Sequence, residues 1–375
     1  MTLFKGLRRR TAVLALAAVS AAAVLPQAHA KEGQLRIAQQ FGIVYLLLNV
    51  AQDQQLIEKH GKYYQLYTGK AQGLDIKVDF LRLSGGPAIN DALLTGEVDI
   101  AGAGVGPLFT IWDRTKGRQN VKGVASLGNF PYLLVSNNPA VKSIADFTDQ
   151  DRIALPAVGV SVQMASAKLW GDAQYNKLDK LQVALPHPEA AAAIIKGGTE
   201  ITAHFGNPPF QDQELAGNPQ ARAVLNSYDV LGGPAAATVL YATEKFKNES
   251  PKTYRAFVDA LDEAAAFVRN NPEQAADIYL KVSGVKQDRQ LVLDVIRNPQ
   301  VEFTVQPQRT RPRCLTISLT TRVCRAATER TGARPCKHGC KDSSKPASAS
   351  GSSWPRSWKV VQHWPQARSA VTGQT

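Results

Sequence analysis

Between residues 31 and 313 the chain has no cysteine, and all four cysteines fall between 314 and 340. That excludes a disulfide framework and a thiolate metal centre from most of its length. A domain of this size holds a core without either. After residue 30 there is no apolar run of 18 residues, so the sequence offers no candidate there for a membrane-spanning helix. No GxxxxGK[ST] phosphate loop, HExxH helix or GxSxG elbow occurs. Acidic residues are scarce at both ends. Residues 1–30 carry four Lys/Arg and no Asp/Glu, and residues 309–375 carry 13 Lys/Arg against two Asp/Glu.

The formal charge of +13 therefore comes from the termini. Residues 31–308 carry 27 Lys/Arg against 29 Asp/Glu, a nearly neutral body. A basic body suited to nucleic acid or anionic lipid is thereby excluded. The first basic end reads as an export signal. Lys5, Arg8, Arg9 and Arg10 precede the apolar run "TAVLALAAVSAAAVL" (11–25), which Pro26 breaks before the small-x-small site Ala28-His29-Ala30. The expectation is cleavage after Ala30 and a periplasmic, monomeric product.

Residues 34–305 alternate strand and helix signals. "QLRIAQQ" (34–40) and "LDIKVDFLRL" (74–83) read as strands. Between them "IVYLLLNVAQDQQLIEKHG" (43–61) predicts a helix stopped by Gly61. "SGGP" (84–87) leads into a helix with Pro87 in its first turn, ending at Gly96. "EVDIAGAG" (97–104) is a buried strand entering a glycine-rich loop. The pattern repeats with strands at 151–157, 181–186 and 200–206 and helices at "SVQMASAKLWGDA" and "PEAAAAIIKGG". Such alternation implies parallel strands with right-handed crossovers. Two long apolar stretches, 121–138 and 229–246, read as extended chain crossing between the two units. Residues 250–284 give two helices, each with Pro at its first position behind Ser250 and Asn271. Tyr254, Phe257, Val258, Leu261 and Ala265 share one face of the first.

The expected fold class is α/β with two lobes. Lobe 1 takes residues 31–130 and 232–308, and lobe 2 takes 131–231. The hinge lies near 127–134 and 232–237, and a ligand cleft faces the carboxyl ends of the strands. Candidate ligand contacts are the strand ends and helix starts that border it: Gln39, Gln40 and Phe41; Ser84, Gly85 and Gly86; Gly104 and Val105; Ser161 and Gln163; His204 and Asn207. Plainer readings stand beside them. The glycines form turns, Ser84 caps a helix, and His204 is a satisfied core histidine. Arg82 is either an anion clamp or a surface residue. "GAGVG" (102–106) lacks the spacing of a dinucleotide fingerprint. Asp146, Asp149 and Asp151 read as a solvated turn, and nothing in the body has metal-ligand spacing. No cofactor is expected.

"SGGPAINDALLTGEVDIAGAGVGPL" (84–108) resembles the core of solute-binding proteins of ABC importers. The nearest group is that for nitrate, sulfonate and taurine, related in fold to thiamine-pyrimidine synthesis proteins. Its most specific element is "ALLTGEVDIA" (92–101). "AHFGNPPFQDQEL" (203–215) resembles the segment of the second lobe that faces the cleft, and residues 251–279 resemble the C-terminal helices. The resemblance covers about 34–308 and implies a type II periplasmic-binding fold. It also implies a small solute such as a sulfonate or nitrate, and a permease partner in the inner membrane. An enzyme of the pyrimidine-synthesis kind is the alternative. The export signal opposes it, and it would need a reactive Lys or His constellation. Two departures stand out: "YYQLYTGK" (63–70) extends a loop, and 159–170 is short before its helix.

From Arg309 the apolar periodicity stops. The segment is rich in Arg, Ser, Thr and Cys and includes "RPCKHGC" (334–340). The Cys-x3-Cys pair with one His lacks zinc-site spacing, and no element is evident for a disulfide module to staple. The tail, 309–375, reads as disordered, and as out of frame beyond Gln308, where codon degeneracy allows a helix-compatible peptide in another frame.

Overall fold

The computed structural model of the chain describes residues 32–68, 73–159 and 177–307, with no account of the side chains of 64–68. The export signal, the 309–375 tail, the helix expected at 161–173 and, with it, Ser161 and Gln163 lie outside those residues. So does most of the short 159–170 connection.

The first sheet is built from β1 (Gln34–Gln39), β2 (Lys77–Arg82), β3 (Ile100–Gly104), β4 (Lys122–Ser126) and β10 (Thr238–Ala242). Their order is β2-β1-β3-β10-β4. β1 runs parallel to β2 and β3, and β10 lies antiparallel between β3 and β4. The second sheet uses β5 (Leu133–Ser136), β6 (Ile153–Leu155), β7 (Gln182–Ala184), β8 (Ala203–Phe205) and β9 (Arg222–Asn226). Its order is β7-β6-β8-β5-β9, with β5 the antiparallel insert. Each sheet is thus three parallel strands, one strand arriving from the other unit, and one edge strand. The same winding occurs twice, as expected of two α/β units.

Strand periodicity of two explains the layering of the first sheet. Leu35, Ile37, Ile100 and Leu240 face one hydrophobic cluster, and Ala38, Ala101, Ala103, Val239 and Tyr241 face the other. On the first face lie α1 (Leu46–Asp53), α2 (Leu56–Thr68), α9 (Pro251–Asn270) and α10 (Pro272–Ser283). On the second lie α3 (Gly86–Thr95) and α4 (Val105–Thr115). Asp99, in the motif most specific to the resemblance, is 5% exposed and fixes this sheet. Its carboxylate accepts from the Arg36 backbone N–H at 2.9 Å and from the Arg36 guanidinium at 3.0 and 2.8 Å.

The helix over 43–61 breaks at Gln55, which takes φ 53, and resumes as α2 straight through Gly61. Gly61 does not stop it. A Cβ there would lie 2.6 Å from the Leu74 carbonyl oxygen and 2.7 Å from Ile76 Cδ1, so close packing accounts for this glycine. Residues 63–68 extend that helix rather than a loop. Gly96 does end α3, at φ 76. The glycine-rich loop after β3 is instead the start of α4, whose Gly106 and Pro107 disguise its first turn. The 229–246 stretch holds two helical segments, α7 (Ser227–Leu231) and α8 (Glu244–Glu249), around β10. Ser250 and Asn271 sit at the helix starts, yet neither side chain caps there. Asn271 Nδ2 donates back to the Phe267 carbonyl, at the end of α9. Asp151 belongs to no solvated turn: it is 1% exposed and accepts from Thr148, Asn138 and Thr202. The face of α9 that includes Phe257, Leu261 and Ala265 is buried, with Tyr254 and Val258 at its margin.

The chain crosses between the units at 127–132 and again before β10, and a third segment joins them. After α11 (Arg289–Arg297), residues 301–305 return through the crossing. Asn129 and Glu302 exchange backbone hydrogen bonds at 2.8 and 3.0 Å, Asn129 Nδ2 reaches the Glu302 carboxylate at 2.6 Å, and the Ser126 N–H donates to the Val305 carbonyl. The Tyr228 hydroxyl donates to the Gln300 carbonyl at 3.1 Å. Residues 300–305 thus pack as a third segment on the two crossing stretches.

Candidate functional site

The parallel strands of both sheets end on the same cleft, and the helices that follow start there. α3 begins at Gly86, α4 at Val105 and α5 (His187–Lys196) at His187, with Gly86, Gly104 and His187 lining the space. Helix starts carry partial positive charge and free N–H groups, and although α4 gives its first N–H to the Ala237 carbonyl, the three starts together suit acceptors and anions. From the first unit Gln40 and Tyr45 join them. Gln40 Nε2 donates to the Tyr45 hydroxyl at 3.3 Å, and that hydroxyl donates to the Gly102 carbonyl at 3.2 Å. Tyr132 and Thr238, one on each main crossing segment, meet hydroxyl to hydroxyl at 2.6 Å. Burial pushes the Tyr45 phenol well up and the Tyr132 phenol to about 12, so both stay neutral donors.

Beside the cleft the two units meet along a seam. The Ile43 N–H donates to the Pro208 carbonyl at 3.1 Å, and Asn207 Nδ2 donates to the Phe41 carbonyl at 3.3 Å. Beside it, Gly85 faces the Pro156 carbonyl so closely that a Cβ would stand 2.5 Å from the oxygen.

Behind the second unit's wall lies a chain of three buried side chains. His187 Nδ1 meets His204 Nε2 at 2.7 Å, and His204 Nδ1 is hydrogen-bonded to Oε1 of Glu214 on α6 (Phe210–Gly217). His187 is 4% exposed, and His204 and Glu214 are fully buried. Burial holds both imidazoles below their ordinary range and pushes the Glu214 carboxyl well up. Among the described residues no group of three or more His, Cys, Asp or Glu is arranged to hold a metal ion.

Of the residues singled out in the sequence, Gln40, Gly86, Gly104 and Asn207 line the cleft. Gly85 and Phe41 lie at the seam. Gln39 is buried at the end of β1 with Oε1 unpaired among the described residues, and Val105 donates its N–H to the Ala237 carbonyl. Ser84 is exposed and does not cap α3, whose N-cap is Gly85. His204 stands one layer behind the wall. Arg82 is no anion clamp: its guanidinium donates to the Val282 and Ser283 carbonyls at the end of α10. Sequence reasoning missed Tyr45, Tyr132, Thr238 and His187. The first lies in an apolar helix signal and the next two in the long apolar stretches read as extended crossing chain. His187 had a legible signal, a helix start after Pro186.

The family model described as NMT1/THI5 like matches residues 63–275, more than half of the chain. The chain belongs to the NMT1/THI5-like family. No curated protein matches it in sequence. Among solved structures, the NMT1/THI5-like chain resembles the alkanesulfonate-binding protein SsuA of Xanthomonas axonopodis pv. citri bound to MOPS. The identity is 18% and the TM-score 0.56, over 80% of this chain and 94% of that one. The periplasmic aliphatic sulphonate-binding protein SsuA of Escherichia coli matches at 17% identity and TM-score 0.56, over 86% and 99%. The periplasmic nitrate-binding protein NrtA of Synechocystis PCC 6803 matches at 16% and 0.53, over 71% and 70%. These likenesses establish the periplasmic-binding fold of the type II kind for this NMT1/THI5-like chain.

Proposed function

We propose that the chain is the periplasmic solute-binding component of an ABC importer. Lobe 1 (31–130 and 232–308) and lobe 2 (131–231) close on a small anionic or polar solute, and a membrane permease receives it. The observation that carries this reading is the convergence of three helix starts, from both units, on one cleft. The seam bonds from Ile43 to Pro208 and from Asn207 to Phe41 form only when the units are together. A solute that touches both walls therefore stabilises the closed form by its contacts there alone. Ligand contact is assigned to Gln40, Gly85, Gly86, Gly104 and Asn207, with Tyr45, Tyr132, Thr238 and His187. The 1–30 segment supports export, with cleavage after Ala30 and a product outside the cytoplasmic membrane. Binding without turnover is the activity, in keeping with the solute-binding proteins that share the fold.

Calorimetry with alkanesulfonates, nitrate, carboxylates and pyrimidines tests this. At least one anion is expected to bind at micromolar concentration and to raise the unfolding temperature. Silence across the panel at millimolar concentration would remove the reading.

A further inference from the structure

The three-residue chain behind the wall has a direction. His204 bonds to His187 through Nε2 and to Glu214 through Nδ1, and His187 uses Nδ1 for that bond. Only one ring nitrogen of His187, Nε2, remains for the cleft it lines. If Glu214 is a neutral acid, its O–H donates to His204 Nδ1. His204 Nε2–H then donates to His187 Nδ1, and His187 carries its proton on Nε2. If Glu214 is ionised and both imidazoles are neutral, every bond reverses and His187 presents a lone pair. The state of a carboxyl two rings away decides whether the cleft sees a donor or an acceptor.

The geometry favours the neutral acid. Glu214 is fully buried and its Oε2 has no partner among the described residues. An unpaired carboxylate oxygen costs far more there than an unpaired carbonyl. Burial pushes its carboxyl up, in the same direction. The Phe210 ring lies nearly parallel to His187, 15° between planes and 6.0 Å between centroids, and holds the imidazole in place. The other titratable groups around the chain are Asp212 on α6, whose carboxyl burial also raises, and the neutral phenols Tyr45 and Tyr132 in the cleft.

We propose that His187 is the headgroup-recognising donor of this cleft, and that Glu214 and His204 are positioning residues that let it become a cation when an oxyanion binds. This deepens the solute-binding reading and rests on it. The proton shift balances internally. The Glu214 O–H breaks as His204 Nδ1–H forms, and His204 Nε2–H breaks as His187 Nδ1–H forms. His187 then holds both protons opposite the bound anion, Glu214 is the carboxylate, and no proton comes from solvent. A neutral acceptor of the same shape does not drive that separation of charge, so the chain selects oxyanions.

Long-range proton–nitrogen spectra of the histidine-labelled full chain test this, recorded free and with saturating ethanesulfonate or nitrate, whichever binds by calorimetry. Both buried imidazoles are expected as Nε2–H tautomers in the free protein, and His187 as the doubly protonated form when loaded. Binding heats should not depend on the buffer's ionisation enthalpy. A His204 Nδ1–H tautomer in the free protein, or an unmoved His187 in a loaded protein, would overturn this proposal and leave the solute-binding reading standing. Failure of every anion to bind would overturn both. Glu214→Gln keeps the shape and the donor but has no proton to give. It should weaken the anion about tenfold, and unchanged affinity would refute the chain's role. If that variant does not fold, the wild-type spectra decide alone.

Discussion

Gly85→Ala isolates closure from folding. Gly85 has φ −169 and ψ 168, an extended backbone that alanine adopts freely. The added methyl would meet the Pro156 carbonyl oxygen, on the other unit, at 2.5 Å, where ordinary contact begins at 3.4 Å. The units must part by about 0.9 Å locally, the difference of those two distances. The two seam hydrogen bonds, at 3.1 and 3.3 Å, do not survive that separation. At about 1 kcal/mol net each, the closed form loses roughly 2 kcal/mol, within the range found for overpacking. Solute affinity should therefore fall about 30-fold. Calorimetry reads that loss, and thermal unfolding without solute should stay within a degree or two of wild type. Affinity within twofold of wild type would refute closure across this seam. So would a drop in solute-free stability as large as the drop in affinity.

Gly61→Ala should behave in the opposite way, because its methyl collides inside one unit with Leu74 and Ile76. About 2 kcal/mol of stability is expected to go, seen as a fall of several degrees in unfolding temperature. Asp212 carries a carboxyl that burial raises to about 6, above the ordinary 3.8. Its contribution is thus fully present below pH 4 and lost as pH rises through 6, so Asp212→Asn should add up to about 3 kcal/mol at pH 8 and almost nothing at pH 4. Denaturant melts at the two pH values check it. Asp99→Ala strips the buried partner from Arg36 and should cost about 2–3 kcal/mol. Chemical unfolding reads that directly, and a cost below 0.5 kcal/mol would deny the pair its role in the first sheet.

Most of the topology was legible because each strand and helix carries its own period. β1, α3 with its Pro87 and Gly96, and the buried face of α9 follow from spacing alone. What failed were glycines and caps. Gly61, Gly104 and Gly106 look alike in sequence, yet one fills a tight crossing inside a helix, one precedes α4 and one sits in its first turn. Only the tertiary neighbours distinguish them. In the cleft, the residues at strand ends were found by rule, and Tyr45, Tyr132 and Thr238 were not. Their hydroxyls reach the cleft from segments whose local pattern is purely apolar or extended. His204 drew notice as the histidine of a strand end, whereas the wall belongs to His187, which the packing of α5 on β8 brings in front of it.

The three-segment crossing has a kinematic consequence. Two strands joining two bodies leave freedom to bend and to twist about the line between them. A third segment, pinned through Asn129–Glu302 and Ser126–Val305 and bonded to the second unit through Tyr228–Gln300, opposes the twist. Bending about the crossing is then the motion least opposed. The surfaces that flank the cleft then approach each other along a single path, and occupancy is expressed as a distance between them. A docking membrane protein can measure that distance without touching the solute.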